Sequence, residues 1–545
     1  MLTFERLNPP ASVLTPIARA ALERKLALAG VHVALAANDF SRPTSRFTPS
    51  ERAEWVAALS HGRSDATRRT LAKLTHPQAC AIVTGQQPGL LVAPLYSLYK
   101  ALTAARLAEE LERRWGTPVI ALFWNHADDH DLAEVNHAFV QNVNLDLQRI
   151  ALAGLSSGRH PFSRIVLDEH RHRLRAAAEA CHASLPQAKL LPEALELLMP
   201  RVGETLSGAF SRGLEALVGE LGVAVFEPAA LRPALSKALA RLVASEPLAS
   251  LAAGADAMRR DGFEPAIDPR EAALLFRVDE RGRRALRAVD GGWRLDDEPT
   301  TITTAELVHA IEQDPRGYSA GALLRPLVQD LALPAVAYVG GWGELAYHAE
   351  LGELRLHADV PRTSFVPRAS CTLIDAPTRD ALAKLEFTAA RVLAEPTLLT
   401  QEVATPELPV IARMRELGRS IERDINALRD ELAPIDPGLA QSLKRTAHQA
   451  RVLLETAREK AERVHQNASG RGRRSVRRVA NTLLPLGEPQ ERVLGPLDFV
   501  ARYGTEWIAE LAAAIDPFDA RTLLVGLPEL ADSTPADSAP LDLTE

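Results

Sequence analysis

Apolar and polar positions along the chain follow two rhythms. The short apolar run PVIALFW at 118–124 has the length and composition of a strand buried on both faces of a parallel sheet, and the segment from Cys80 opens as a strand that leads into a Gly-containing loop. Between them, LYSLYKALTAARLAEELERR reads as one long helix, so the segment predicts a strand-helix-strand unit. Further short strands are predicted at 223–227 (VAVFE) and 335–340 (AVAYVG), with Ala- and Leu-rich helical sequence between them. The expected fold class is α/β: a parallel sheet whose strands are scattered among helical insertions, at about 150–215 and 230–300.

The rhythm changes in the last third. Ile411, Met414, Leu417, Ile421, Ile425, Leu428 and Leu432 recur at three-four spacing. After APIDPG the same alternation resumes at Leu443, Ala447, Ala450, Leu454, Ala457, Ala461 and Val464. Pro434 and Pro437 mark the reversal, which predicts an antiparallel helical hairpin over 405–480. The core then spans 1–400, and 481–545 is expected to return to it. A lone hairpin leaves part of its seam uncovered, so self-association and packing against the chain's own core are both open. Beyond the hairpin, SGRGRRSVRR at 469–478 reads as a solvated basic face or as a phosphate-binding patch. The final ADSTPADSAPLDLTE lacks an apolar face and is expected to fray.

Composition narrows the function classes. A net charge of −7 gives no global reason to bind nucleic acid, and no apolar run is long enough to cross a bilayer. The start, MLTFERLNPPAS, lacks a basic segment followed by an apolar stretch, so a cytoplasmic protein is expected. Cys80, Cys181 and Cys371 are too few and too far apart for a disulfide framework or a metal knuckle, and are read as buried or incidental thiols.

Candidate chemistry concentrates where the predicted strands end. NHADDHDLAEVNH at 125–137 places Asp128, Asp129, His130, Asp131, Glu134 and His137 directly after a buried strand. Ligands of open α/β sheets bind at the carboxyl ends of strands. His130, Glu134 and His137 would share a face, and could ligate a metal, if a helix began near Asp129. Otherwise a His at a helix start can stabilise phosphate or carboxylate charge while the Asp residues orient it or hold an amine; a solvated N-cap loop is the plainer reading. TGQQPGLLVAP at 84–94 either cradles an anion or simply turns the chain, and it is neither a dinucleotide fingerprint nor a P-loop. At 323–351, Gly340, Gly341 and Gly343 follow a strand, and Glu344 enters a helix with Tyr347 one turn later. This second crossover could face the first across the sheet.

Taken together, VTGQQPGL…PLYSLYKALTAARLAEEL, PVIALFWNHADDHDLAEVNH, LLRPLVQDLALPAVAYVGGWGELAYHAEL and PLGEPQERVLGPLDFVARYG resemble, in order and spacing, the cysteine-adding enzymes of bacillithiol biosynthesis. The resemblance covers most of the chain. It implies a Rossmann-like core with connecting-peptide insertions, a C-terminal coiled coil that makes a homodimer, and a ligase joining the carboxyl of cysteine to the amino group of glucosaminyl malate. Carboxylates do not acylate amines unaided, so it also implies an activated acyl group, most simply an acyl-adenylate made from ATP with Mg²⁺. Carried onto this sequence, Asp128, Asp129, His130 and Asp131 form the catalytic set, with no resident metal. Gln86, Gln87, Gly89, Asn136, His137, Gly340, Gly341 and Glu344 line the substrate pocket.

The chain departs from the family pattern at several positions. Asp128 replaces a Glu, Gly321 a common Asn, His126 a small or apolar residue and Ala93 a common Gly, and no K-M-S-K-S loop is present. Two alternatives therefore stay open: a divergent paralogue coupling another amino acid to another amine, and a dimeric binding or scaffold protein with an inert pocket.

Overall fold

A computed structural model describes residues 1–9, 14–42, 44–142, 146–152, 154–155, 158–182, 187–399, 409–432, 434–436 and 473–530, with scattered positions between 443 and 460. Two compact units emerge, Met1–Ala376 with Pro485–Glu545, and Pro377–Leu484. The first is built on a five-stranded parallel sheet: β1 (Cys80–Gln86), β2 (Val119–Asn125), β3 (Val223–Phe226), β4 (Ala335–Gly340) and β5 (Ser364–Pro367). The order across it is β5-β4-β1-β2-β3. Side-chain alternation explains why the runs have no polar face. Cys80, Ile82, Val119, Ala121 and Phe123 enter one core layer, while Ala81, Val83, Ile120, Leu122 and Trp124 enter the other.

That order fixes where a ligand can bind. The chain leaves β1 in one direction through β2 and β3, then crosses to the other side for β4 and β5, so β1 and β4 are neighbours whose following loops diverge. The helix α1 (Tyr96–Trp115) follows β1 and stops at Gly116, whose φ of 63° is the left-handed cap that a glycine adopts without steric cost. Between β3 and β4 come α2 (Arg232–Ala244) and a five-stranded antiparallel sheet. One edge strand of that sheet, Tyr318–Ala320, pairs with Leu275–Asp279. The helices α3 (Arg325–Ala332) and α4 (Trp342–Glu350) flank β4.

A third sheet joins distant parts of the same unit: Thr522–Gly526 pairs antiparallel with Thr3–Leu7 and parallel with Ser370–Ile374. Gln490 extends it as a substitute strand. Its side-chain amide donates to the Leu373 carbonyl (2.8 Å) and accepts from the Leu373 N–H (2.8 Å), wholly buried.

In the second unit, α5 (Pro409–Leu432) is the first arm of the predicted hairpin. Described positions of the second arm, Leu443, Ala450, Leu454 and Ala457, are helical, and Leu454 lies against Gly418 of α5. Leu417 and Leu428 remain 50% and 51% exposed on the seam. Ala447, Ala461, Val464, residues 469–472 of the Arg-rich stretch and the tail from 531 lie outside the described residues. Among the described residues no helix is long and apolar enough to cross a membrane.

Gln490→Ala would strand the buried N–H and C=O of Leu373 together. A loss of about 2–4 kcal/mol is expected from urea unfolding; a loss below about 0.5 kcal/mol would show that the amide does not complete the sheet.

Candidate active site

The loops after β1, β2 and β4 converge on a cavity of about 1010 Å³ at the crossover between β1 and β4, ample for a small-molecule substrate pair. Lys100 anchors its floor. This residue sits one turn after Tyr96 on the buried face of α1, and its ammonium is 2% exposed. Three donors meet three acceptors: the Gly85 carbonyl (2.8 Å), Gln86 Oε1 (3.0 Å) and Glu344 Oε1 (2.5 Å). Burial lowers the Lys100 pKa and Glu344 opposes that shift.

Glu344 is equally committed. Besides Lys100 it accepts from the Gly341 N–H (2.8 Å), Tyr338 Oη (2.7 Å) and Tyr347 Oη (3.1 Å). Burial raises its pKa, but Lys100 and these donors outweigh burial and bring it down to about 2. All four acceptor directions of the carboxylate are taken by the chain.

The wall after β2 carries the acidic cluster, and each inner carboxylate has its own arginine. Asp128 pairs with Arg232 of α2 at 2.5 Å. Asp129 accepts from Arg283 Nη1 (2.9 Å), Gln87 Nε2 (2.8 Å) and the His130 N–H (2.8 Å). Burial raises the Asp129 pKa, but its His130, Arg283 and Gln87 contacts overcome burial and hold it well below the usual carboxylate range. Arg283 is itself held over the Phe276 ring at 3.7 Å and donates to the Ala320 carbonyl (3.1 Å). It also lies 3.3 Å from His130 Nδ1. A guanidinium only donates, so a hydrogen bond at this contact requires the tautomer in which Nδ1 accepts. The Asp129 carboxylate, 3.6 Å from the same nitrogen, is too far for a hydrogen bond.

Three lining residues carry an unsatisfied buried polar atom. Arg325 Nη1, at the start of α3, His126 Nε2 and Trp124 Nε1 have no hydrogen-bond partner among the described residues. Burial, then the charges of Arg325 and Lys100, push the His126 pKa well down, so its ring is neutral. Gly85 makes room for this ring, since a Cβ there would lie 2.9 Å from His126 Nε2.

Gln86, Gln87, Asp128, Asp129, His130, Asp131, Gly341 and Glu344 all line the cavity. Gly89, Gly340, Asn136 and His137 do not. A side chain at Gly89 would run into the Ala93 carbonyl, and one at Gly340 would meet the rings of Phe365 and Tyr338, so both allow close packing. Asn136 accepts from Arg149 (3.3 Å), and His137 opens the strand His137–Gln141 and packs edge-on to Phe139. The helix on which a shared His130, Glu134 and His137 face would depend is a single turn, Leu132–Val135, capped by Asp131 accepting from Ala133 N–H (3.1 Å). His130, Glu134 and His137 therefore share no helical face, and the described residues contain no metal-holding cluster of three or more His, Cys, Asp or Glu. The sequence reading missed Lys100, Arg232, Arg283 and Arg325. Only Lys100 leaves a local trace, a charged residue inside the apolar stripe of α1.

The family model described as the N-terminal Rossmann-like domain of bacillithiol biosynthesis BshC matches residues 49–369, and that for the BshC C-terminal coiled-coil domain matches 371–527. The chain belongs to the BshC family. Within it, relatives named "Putative cysteine ligase BshC" come from Salinibacter ruber (28% identical, 83% of this chain and 84% of the relative), Geobacillus thermodenitrificans (29%, 83% and 85%) and Heliobacterium modesticaldum (30%, 83% and 84%). The Rossmann-like and coiled-coil character of the BshC family agrees with the parallel sheet and the helical arm.

Glu344 carries a testable signature. Its folded pKa, about 2, lies below the ordinary 4.5, so its stabilisation is present above about pH 4.5 and is lost as pH falls toward 2. Glu344→Gln is expected to cost about 3 kcal/mol at neutral pH by stranding Lys100. The gap to the unsubstituted protein should narrow as pH falls from about 4.5 to about 2 in urea titrations. A gap independent of pH would refute the ion pair.

Proposed function

We propose that this BshC-family chain is an amide-forming ligase that joins the carboxyl of cysteine to the amino group of glucosaminyl malate, the last step of bacillithiol biosynthesis. The observation that carries the reading is the division of charge in the cavity. Asp128, Asp129 and Glu344 are neutralised by Arg232, Arg283 and Lys100, which leaves Arg325 Nη1 and Trp124 Nε1 as donors without partners among the described residues, with His126 Nε2 beside them. Unsatisfied donors preorganised in a half-enclosed site are suited to charge that develops on oxygen. The relatives' names supply the cysteine ligase class.

Condensing a carboxylate with an ammonium releases water, and one carboxylate oxygen must leave with the bonding electrons. ATP with Mg²⁺, when bound, would supply the phosphoryl chemistry that makes this oxygen a leaving group. Arg325 and the exposed Arg492 are the cavity cations suited to phosphate oxygens. Asp131 and Glu134, the lining carboxylates without a cationic partner among the described residues, suit a hydrated Mg²⁺ or the amine. His130, oriented through Asp129 and Arg283, presents its Nε2 proton to oxygen.

A second reading keeps the chemistry and changes the amine. Gly321 favours it, because a side chain there would meet the carbonyls of Ala273 and Leu274, so this chain presents bare backbone to the cavity at that point.

Purified protein mixed with cysteine, glucosaminyl malate, ATP and Mg²⁺ is expected to give the condensed thiol by mass spectrometry, with AMP or ADP naming the activation step. His130→Ala should lower kcat by about 10²–10⁴ without moving the unfolding midpoint. Product only with a different amino acid or amine would select the second reading, and no product from folded protein with any pair would favour an inert pocket.

The half-exposed seam of α5 supports a homodimer through the coiled coil. Sedimentation velocity should show Leu417→Glu/Leu428→Glu as a monomer beside a dimeric parent; a variant that stays dimeric would move the interface elsewhere.

A further inference from the structure

A second cavity lies at the opposite end of the central sheet. It measures about 330 Å³ and opens where β1, β4 and β5 begin, with Cys80, Ala335, Val336 and Ser364 in its lining. The seven residues of β1 separate it from the front cavity by roughly 20 Å at about 3.3 Å per residue. Nothing in the proposed ligase chemistry uses it.

Its charges do not cancel. Arg46, Arg52 and Arg362 line it, and Asp39 is the single lining carboxylate among the described residues. Asp39 is already committed to Arg24 (3.2 and 3.3 Å) and to the N–H groups of Leu35 (2.8 Å) and Ala36 (2.9 Å). Arg52 is 1% exposed. It donates to the carbonyls of Leu74 (3.2 Å) and Ala79 (3.1 Å) and to Ser45 Oγ (3.3 Å), while its Nε has no partner. None of its hydrogen-bond acceptors is a carboxylate, and a buried guanidinium without a counter-ion is costly.

Arg46 lies over the Phe47 ring and donates to the carbonyls of Asp330 and Leu333. The Asp330 carboxylate is taken by Arg355 at 2.7 Å. Arg362 is exposed and makes no ion pair among the described residues. Beside it, His32 Nδ1 lies 2.8 Å from Ser364 Oγ, and burial with the Arg362 charge lowers the His32 pKa.

We propose that this rear cavity binds a compact dianion, a phosphate group or a short dicarboxylate, as the counter-ion of Arg52 and Arg362. Guanidinium groups bind either anion in forked fashion, Ser45 and Ser364 add hydroxyls, and the volume, at the lower end for ligand pockets, selects a small molecule.

The test is calorimetric titration of the full-length protein with inorganic phosphate and, separately, malonate, at constant ionic strength against chloride. One saturable site is expected, weakened at least ~10-fold in Arg362→Glu, less in Arg362→Lys, which keeps the charge and loses the fork, and kept within about threefold in the front-cavity variant Arg325→Gln. Phosphate without malonate would assign a phosphorylated ligand, and malonate without phosphate a dicarboxylate. The proposal is overturned if neither anion binds above chloride, if Arg362→Glu binds like its parent, or if Arg325→Gln abolishes binding. Should Arg362→Glu fail to fold by circular dichroism, Ser41→Trp, which fills the cavity from an exposed lining position, gives the same reading.

Discussion

The ammonium of Lys100 is the contact on which the front cavity depends. A helix that follows β1 reaches back to the last two residues of β1 and across to the helix after β4, and it does so with a cation that has lost its water. Each acceptor it uses belongs to a different part of the crossover: a backbone carbonyl at the end of β1, the side chain of the next residue, and a carboxylate at the start of α4. The divergence of the two loops, which the sheet order creates, is thereby held to one geometry. A parallel sheet alone would open the crevice without fixing its width.

The same logic makes the acidic cluster tolerable. Three aspartates in four residues repel one another in the unfolded chain. In the fold, Asp128 and Asp129 are drawn apart by arginines from different elements, Arg232 on α2 and Arg283 in the antiparallel sheet. The insertion between β3 and β4 is therefore part of the site, since it brings the cation that orients both Asp129 and His130. Glu344 and Asp129 are organisers with their lone pairs in use, and the reactive capacity lies with the groups that they leave unsatisfied or exposed.

Much of this was legible in the sequence because it is local. Strands β1, β2 and β4 are apolar runs with no competing period, and the helical arm announces itself by its three-four seam. The positions of Gln86, Asp129 and Glu344 follow, because each stands at the carboxyl end of such a run. What the sequence hid is what arrives from far away. Arg283 sits among five arginines between 277 and 287, and nothing in that segment says which one reaches Asp129 across more than 150 residues. Asn136 and His137 show the opposite failure: they share the motif in sequence, but a one-turn helix and a strand carry them off the cavity wall. The rear cavity had no motif at all, since Arg46 and Arg52 are ordinary surface-type residues of one stretch and Arg362 joins them from more than three hundred residues away, where three strands begin.

The small sheet that ties Thr3–Leu7 to Thr522–Gly526 has a consequence for biogenesis. Its first strand leaves the ribosome early, and the strand it pairs with follows more than five hundred residues later. At about 5–20 residues per second, that interval is roughly half a minute to two minutes. Throughout it the early strand lacks its native partner, and Ser370–Ile374 waits for the same late arrival on the other side. Nascent chains of this protein therefore carry unpaired strand edges for most of their synthesis, which makes them substrates for whatever shields such edges in the cell.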